Sequence, residues 1–384
     1  MTTRRTFLAS LCAAPLARAG SGPIAIPALR NDFHQLLVPA RIEGSPPLWS
    51  DLDSGGGGAV ILLEAAHADA IGVRAASIGR STGPTEGSMA ADGRAWVTLD
   101  LPGLSLPHQE LIIRSQPLLG DKDASIGMLV LAKYVVEIDH DGAMVRLHDP
   151  GEFRYGGPGQ AVPFTMENGN PFTTATLTLR RGVEVTAQMV IDTGAAGSTA
   201  YFSKSFAERI QLAGRALASA ADSLGRSAAR IERFAVGGMR VERPVVHHFQ
   251  APGFGGTAEP DGMIGVEFLR RFKVFLDYSR NRMILEKAAA YREPVLFDAS
   301  GLRAQRMEGV LRAIRVYAVL PGTPAAEAGM GEGDVIMAVD DVPVQSLSPG
   351  MVYEALSRDG RECTLLVQRG YDILRLKLRL RKLL

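Results

Sequence analysis

The residues in this sequence best suited by type to do chemistry are two aspartates, each set in a turn of the same form. Leu52-Asp53-Ser54-Gly55 recurs as Ile191-Asp192-Thr193-Gly194, an offset of 139 residues (192 − 53). In each copy an apolar strand runs into a carboxylate, a hydroxyl and a glycine. The strand sets the carboxylate at the base of a cleft, and the glycine lets the backbone turn where a Cβ would obstruct. The hydroxyls of Ser54 and Thr193 can hydrogen-bond across to the opposite turn and lock the pair. Two carboxylates brought to about 3 Å of each other cannot both ionise, so they share one proton. The charged member can take a proton from water while the neutral member hydrogen-bonds a carbonyl, which is the chemistry of amide hydrolysis. Such a pair titrates as a unit, and neither residue receives a fixed role. A lone Asp-Thr-Gly is a common turn, so the weight rests on the duplication.

The duplication extends into the elements that must position these turns. Ile126-Gly127 recurs as Ile264-Gly265, an offset of 138 (264 − 126). Residues 128–147 lie over residues 266–285, with Asp139 matching Asp277, and Ile78-Gly79-Arg80-Ser81 has a looser echo in Leu224-Gly225-Arg226-Ser227. Anchors in one order at near-constant spacing imply a duplicated domain. Each copy reads as short strands. Gln35 to Ile42 and Thr174 to Val190 alternate and close on the Asp turns, while Trp96 to Ile113 and Ile231 to His247 form hairpins at Pro102-Gly103 and Gly237-Gly238. Short helices are expected at Glu64 to Ile71, Ser203 to Ile210 and Val266 to Phe272, with the boundary between copies in the turn-rich stretch Pro150 to Gly159.

On the paired motifs and their Ile-Gly followers, residues 32–287 resemble the aspartic peptidases of the retropepsin and pepsin type. The resemblance implies two β-barrel lobes, with Asp53 and Asp192 as the catalytic pair and Ser54, Gly55, Thr193 and Gly194 as the supporting turns. It also implies that each Ile-Gly segment packs behind its catalytic turn. The second copy has the family's usual form. The first departs from it, with Gly55-Gly56-Gly57-Gly58 after Ser54 and with Ser125 where an apolar residue is more common. Read alone, the glycine run could cradle a phosphate, but the Lys-Ser/Thr and helix start that should follow are absent. A substrate-covering flap is expected from Ile78 to Gly93.

Other chemistry-bearing residues read as ordinary. His247-His248 ends a strand with no evident ligand set, Asp139 and Asp277 cap hairpin turns, and Asp261 forms a turn. No metal or other cofactor is called for.

After Lys287 the pattern changes. Residues 320–329 (LPGTPAAEAG) lead into residues 333–340 (GDVIMAVD), a string that resembles a PDZ domain over residues 294–384, a small α+β barrel. The resemblance makes Gly301, Leu302, Arg303 and Ala304 the loop whose amides hold a peptide's terminal carboxylate, although Arg303 departs from the usual small or apolar residue. Gln305 to Met307 would accept the peptide as an added strand, facing a helix at Val352 to Leu356.

Residues 1–19 read as an address. Thr3-Arg4-Arg5-Thr6-Phe7-Leu8 is a twin-arginine pattern, an apolar run follows to Leu16, and Ala17-Arg18-Ala19 suits a signal peptidase. Cleavage there would leave Cys363 as the sole cysteine, so no internal disulfide is expected. No apolar stretch reaches the roughly 20 residues of a membrane-spanning helix. The 42 basic and 41 acidic residues form no block of one sign, which argues against a nucleic-acid partner.

The sequence is thus expected to give a mainly β protein with two pseudo-symmetric lobes, residues 20–155 and 156–290, followed by the PDZ domain. Its expected function is an exported aspartic endopeptidase, periplasmic or secreted, that cleaves polypeptide substrates recruited through a PDZ peptide ligand. Because one chain supplies both turns, no obligate homodimer is needed for catalysis. The alternative is a non-catalytic peptide-binding or scaffold protein that keeps the fold.

Overall fold

The computed structural model describes residues 22–56, 60–74, 93–114, 122–221, 227–249, 260–307 and 313–384. The address segment with Cys12, Gly57 and Gly58, the expected flap up to residue 92 and Leu224-Gly225-Arg226 lie outside the described residues.

Each half is organised around the strand that ends at its aspartate. In the first half, strand Leu36–Ile42 buries Leu36, Val38, Ala40 and Ile42. Gly44, at a left-handed φ of +71°, then turns the chain back into strand Leu48–Asp53. Gln35–Ile42 therefore does not close on the aspartate directly, as the alternation suggested; a tight turn and a second strand intervene. Strand Leu48–Asp53 runs parallel to Ala124–Gly127, with Leu52 beside Ile126 and Asp53 beside Gly127. The seven-stranded sheet closes on itself through an added pairing of Leu36–Ile42 with Gly93–Leu101.

The second half repeats the plan. The run Thr174 to Val190 is two strands, Asn170–Leu179 and Val183–Ile191, reversed at Arg181 and Gly182 with φ of 66° and 69°. Arginine seldom adopts that conformation, which is why the alternation read as unbroken. Ile191 lies beside Ile264 of the parallel strand Gly262–Ile264, as Leu52 lies beside Ile126. The hairpins at Pro102-Gly103 and Gly237-Gly238 are present, as are the three short helices, Ala65–Ala70, Lys204–Arg209 and Val266–Leu269.

A six-stranded sheet joins the halves, because Val135–Asp139 of the first pairs antiparallel with Phe272–Asp277 of the second. One apolar cluster accordingly runs through both halves, from Ile26 to Phe297, and takes in Leu384. Burying that much apolar surface in common, at roughly 25 cal/mol per Å², fixes the two Asp turns relative to each other. The C-terminal unit has its own cluster and a sheet in the order Leu302–Arg306, Ile314–Val319, Val335–Val339, Glu362–Arg369, Asp372–Arg379. It leans on the rest through Arg230, whose guanidinium donates to the carbonyls of Val295 and Leu384, and through Gly350, packed against the Asp32 side chain. The chain is mainly β throughout.

Candidate active site

The two turns meet at the interface of the halves and lock reciprocally. The Ser54 amide donates to Thr193 Oγ1 and the Thr193 amide to Ser54 Oγ, both at 3.0 Å. Ser54 Oγ donates onward to the Ile191 carbonyl at 2.7 Å, and Thr193 Oγ1 to the Leu52 carbonyl. Each hydroxyl thus satisfies one donor and one acceptor of the opposite strand, so neither turn can move without its partner.

This lock presents the carboxyls to one another. Asp53 Oδ1 accepts the Gly55 amide at 3.0 Å, and Asp192 Oδ1 accepts the Gly194 amide at 2.8 Å. A Cβ on Gly55 would sit 2.4 Å from Asp192 Cγ, and one on Gly194 would sit 2.7 Å from Asp53 Cγ. Each glycine leaves the space that the other half's carboxyl fills. The two carboxyls interact directly across the interface. Asp192 is buried and Asp53 half-buried. Burial, then the charge of Asp51, pushes Asp53 up to about 6. Burial, then the charge of Asp53, holds Asp192 well above the usual carboxylate range. One proton is therefore retained between them where free carboxyls would both have lost theirs. Ile126-Gly127 flanks the first turn as a parallel neighbour and Ile264 the second, with Gly265 just past the strand end.

A group of residues that sequence reasoning missed lies beside the first turn. Asp51, two residues before Asp53 and only 1% exposed, accepts Lys122 Nζ at 2.6 Å and Gln35 Nε2 at 2.8 Å, and also the Ser125 hydroxyl. Gln35 Nε2 reaches on to the Gly194 carbonyl at 3.0 Å, tying this network to the second turn. The unusual Ser125 was the visible signal. It lies directly beside Asp51 in the parallel register and supplies the hydroxyl that a buried carboxylate requires.

The remaining candidates separate from this centre. Asp139 caps its turn by accepting the Gly142 amide at 3.0 Å. Asp277 accepts Ser279 Oγ and pairs with Arg280 and Arg282. Asp261 braces two elements, accepting the Gln188 amide and pairing with Arg209. His247 hydrogen-bonds Ser198 Oγ at 2.9 Å. Among the described residues no three His, Cys, Asp or Glu side chains gather as metal ligands, and no helix is long and apolar enough to cross a membrane. Cys363 is a buried free thiol, pushed up to about 12 by burial.

In the C-terminal unit, strand Leu302–Arg306 is a sheet edge, and helix Pro349–Leu356 contains the expected Val352 to Leu356. The loop before the edge strand is already engaged. The amides of Ser300 and Gly301 donate to the Asp298 carboxylate at 3.0 and 2.8 Å, and the Leu302 amide donates to Ser300 Oγ at 3.1 Å. Gly301 holds φ +80° with its α-carbon against Thr323. Arg303 carries a buried Nε with no hydrogen-bond partner, and Ala304 follows it on the strand.

The PDZ-domain family model matches residues 315–369. Those residues form a PDZ domain. The matched stretch starts after Gly301–Ala304. No curated protein matches the sequence. Among solved structures the chain is similar to an aspartic proteinase from Irpex lacteus, with 14% identity and a TM-score of 0.46, over 70% of this chain and 98% of that one.

Proposed function

We propose that this chain is an aspartic endopeptidase in which Asp53 and Asp192 share one proton and activate a water for attack on a peptide carbonyl. The observation that carries this reading is the reciprocal lock of Ser54 and Thr193, which sets the half-buried Asp53 and the buried Asp192 carboxyls against each other with both pushed upward. A purely structural turn has no use for two such carboxyls, because burying them together costs several kcal/mol unless a proton is kept. In the proposed reaction the ionised carboxylate takes a proton from water while the protonated one donates to the substrate carbonyl. The tetrahedral intermediate then collapses as the pair protonates the leaving amine. Ser54, Gly55, Thr193 and Gly194 hold the pair in register.

The lobes are proposed to span residues 20–155 and 156–290. The PDZ unit, proposed to span 294–384, delivers polypeptide segments to the cleft along the Leu302–Arg306 edge. The twin-arginine pattern supports export to the periplasm or beyond. The test is digestion of a random peptide library by the mature chain across acidic to neutral pH, with cleavage sites read by mass spectrometry. Cleavage supports the peptidase; a folded chain that binds library peptides and never cuts them replaces it with the peptide-binding reading.

A further inference from the structure

The proposed dyad has a third carboxyl and a cation beside it, and both come from one lobe. Asp51 and Asp53 alternate onto the same face of strand Leu48–Asp53, and the Lys122 ammonium is held on Asp51 at 2.6 Å with only 7% of its side chain exposed. The corresponding strand of the second lobe carries Val190 beside Met263, where the first has Asp51 beside Ser125. An ion pair is thus buried beside one half of an otherwise symmetric site. Removing a Lys and an Asp from water is costly and is sustained only where every remaining donor and acceptor is met. Here the Ser125 hydroxyl and Gln35 amide complete Asp51, and Gln35 spans to the Gly194 carbonyl of the opposite turn.

We infer that Lys122 is a positioning residue for the dyad, neutralising Asp51 so that three neighbouring carboxyls hold a single proton and one of them remains a base. This rests on the peptidase reading for its use, but not for its electrostatics. With Lys122 the group comprises three carboxyls, one ammonium and one proton. Without it, a second proton must enter the group, and a dyad holding two protons has no base to accept one from water.

Among the described residues, few groups face this site. Asp53 is faced by Asp51 from its own strand, by Lys122 from the segment ahead of Ala124–Gly127, by Asp192 across the interface and by Tyr278 behind the turns. Farther out, Asp123 pairs with His67 at 3.4 Å. On the other side of Gln35 and Leu52 a small cavity reaches His140, which burial and Arg30 hold neutral down to about pH 3. Burial opposes the charge on Lys122, but Asp51 and then Asp53 outweigh it, and the ammonium stays protonated.

The inference is tested by titrating Asp53 in the full chain labelled with carbon-13 at the aspartate carboxyls, alongside the pH profile of library cleavage. Removing a cation at this range moves a carboxyl by about one to three pH units. Lys122→Met therefore raises the Asp53 titration and the acid limb of cleavage by about a unit or more. Asp51→Asn removes the opposing charge and lowers both, and Lys122→Arg leaves them near wild type. Opposite shifts from the two ends of one ion pair distinguish tuning from scaffolding, which would weaken both variants alike. If Lys122→Met does not fold, Asp51→Asn, with the same shape, decides alone. An unmoved Asp53 titration, or shifts in one direction, overturns the inference. Shifted titrations in a chain that never cleaves overturn only the peptidase reading.

Discussion

The two Asp turns are nearly interchangeable in backbone and hydroxyl geometry, yet their surroundings differ. The second turn has an apolar pair at the matching place, Val190 beside Met263. The first sits on a polar network of Asp51, Lys122, Ser125 and Gln35. Symmetry places the carboxyls; asymmetry determines how they ionise. A duplicated domain makes this possible because each copy can change its supporting residues while the shared lock of Ser54 and Thr193 preserves the meeting point.

The comparison breaks most sharply if the aspartates are unequal. Asp192→Asn and Asp53→Asn are each expected to lower kcat for library peptides by about 10²–10⁴-fold, the range of a positioned acid or base. Equal losses make the turns one functional unit. Loss with Asp192→Asn alone would remove the first lobe from the chemistry. The glycines come next, because each leaves room for the other lobe's carboxyl. Gly55→Ala and Gly194→Ala should both depress cleavage, and Gly55→Ala the more, since its Cβ meets Asp192 Cγ at 2.4 Å against 2.7 Å for the reverse contact. Crystal structures of the two variants would show which carboxyl is displaced.

The hydroxyl lock sharpens the comparison at lower cost. Ser54 is fully buried and Thr193 half-buried. Ser54→Ala leaves the Thr193 amide and the Ile191 carbonyl without their partner, and an unmet buried group costs about 1–3 kcal/mol. Thr193→Ala leaves the Ser54 amide and the Leu52 carbonyl without theirs, both on buried residues, and should cost about as much. Urea unfolding of the two variants compares the losses, and Thr193→Ser should recover most of the second.

How much of this was legible follows from distance along the chain. The Asp turns, their Ile-Gly neighbours and the hairpins at Pro102-Gly103 and Gly237-Gly238 were readable because each is a local pattern and the repeat supplied its own control. The turn at Arg181-Gly182 was hidden because an arginine occupies a left-handed position that usually announces itself as glycine or asparagine. The Asp51–Lys122 pair was hidden because its partners are 71 residues apart and each looks like an ordinary surface charge. Ser125 was noticed as a misfit, but its reason lay on the adjacent strand. In the PDZ unit the helix was legible, but the edge strand starts at Leu302, inside the stretch read as a loop, and not at Gln305. The engagement of the Ser300 and Gly301 amides by Asp298 was not legible, since it depends on a bend rather than on a motif.

The mildest expected effect concerns stability against pH, and it also divides the lobes. Asp53 and Asp192 are both raised above their unfolded values, so the folded chain holds protons that the unfolded chain releases. Their contribution is fully present below about pH 4, where both states are protonated, and declines as pH rises through the Asp53 value of about 6. The carboxyls around the edges behave oppositely. Asp277, whose burial is outweighed by Ser279, Arg282 and Arg280, is held low, and it stabilises the chain once ionised. Between pH 5 and pH 7 the dyad therefore adds a modest fall in melting temperature, about 2–4 °C for each kcal/mol lost, against the rise from His140, which the fold holds neutral. Asp192→Asn should flatten that fall, because one neutral amide removes the repulsion that raises its neighbour. Asp139→Asn, on the sheet that joins the halves, should leave the fall intact. A fall that persists in Asp192→Asn would mean that the proton is held elsewhere, and the coupling between the lobes would have to be sought in the Asp51 network.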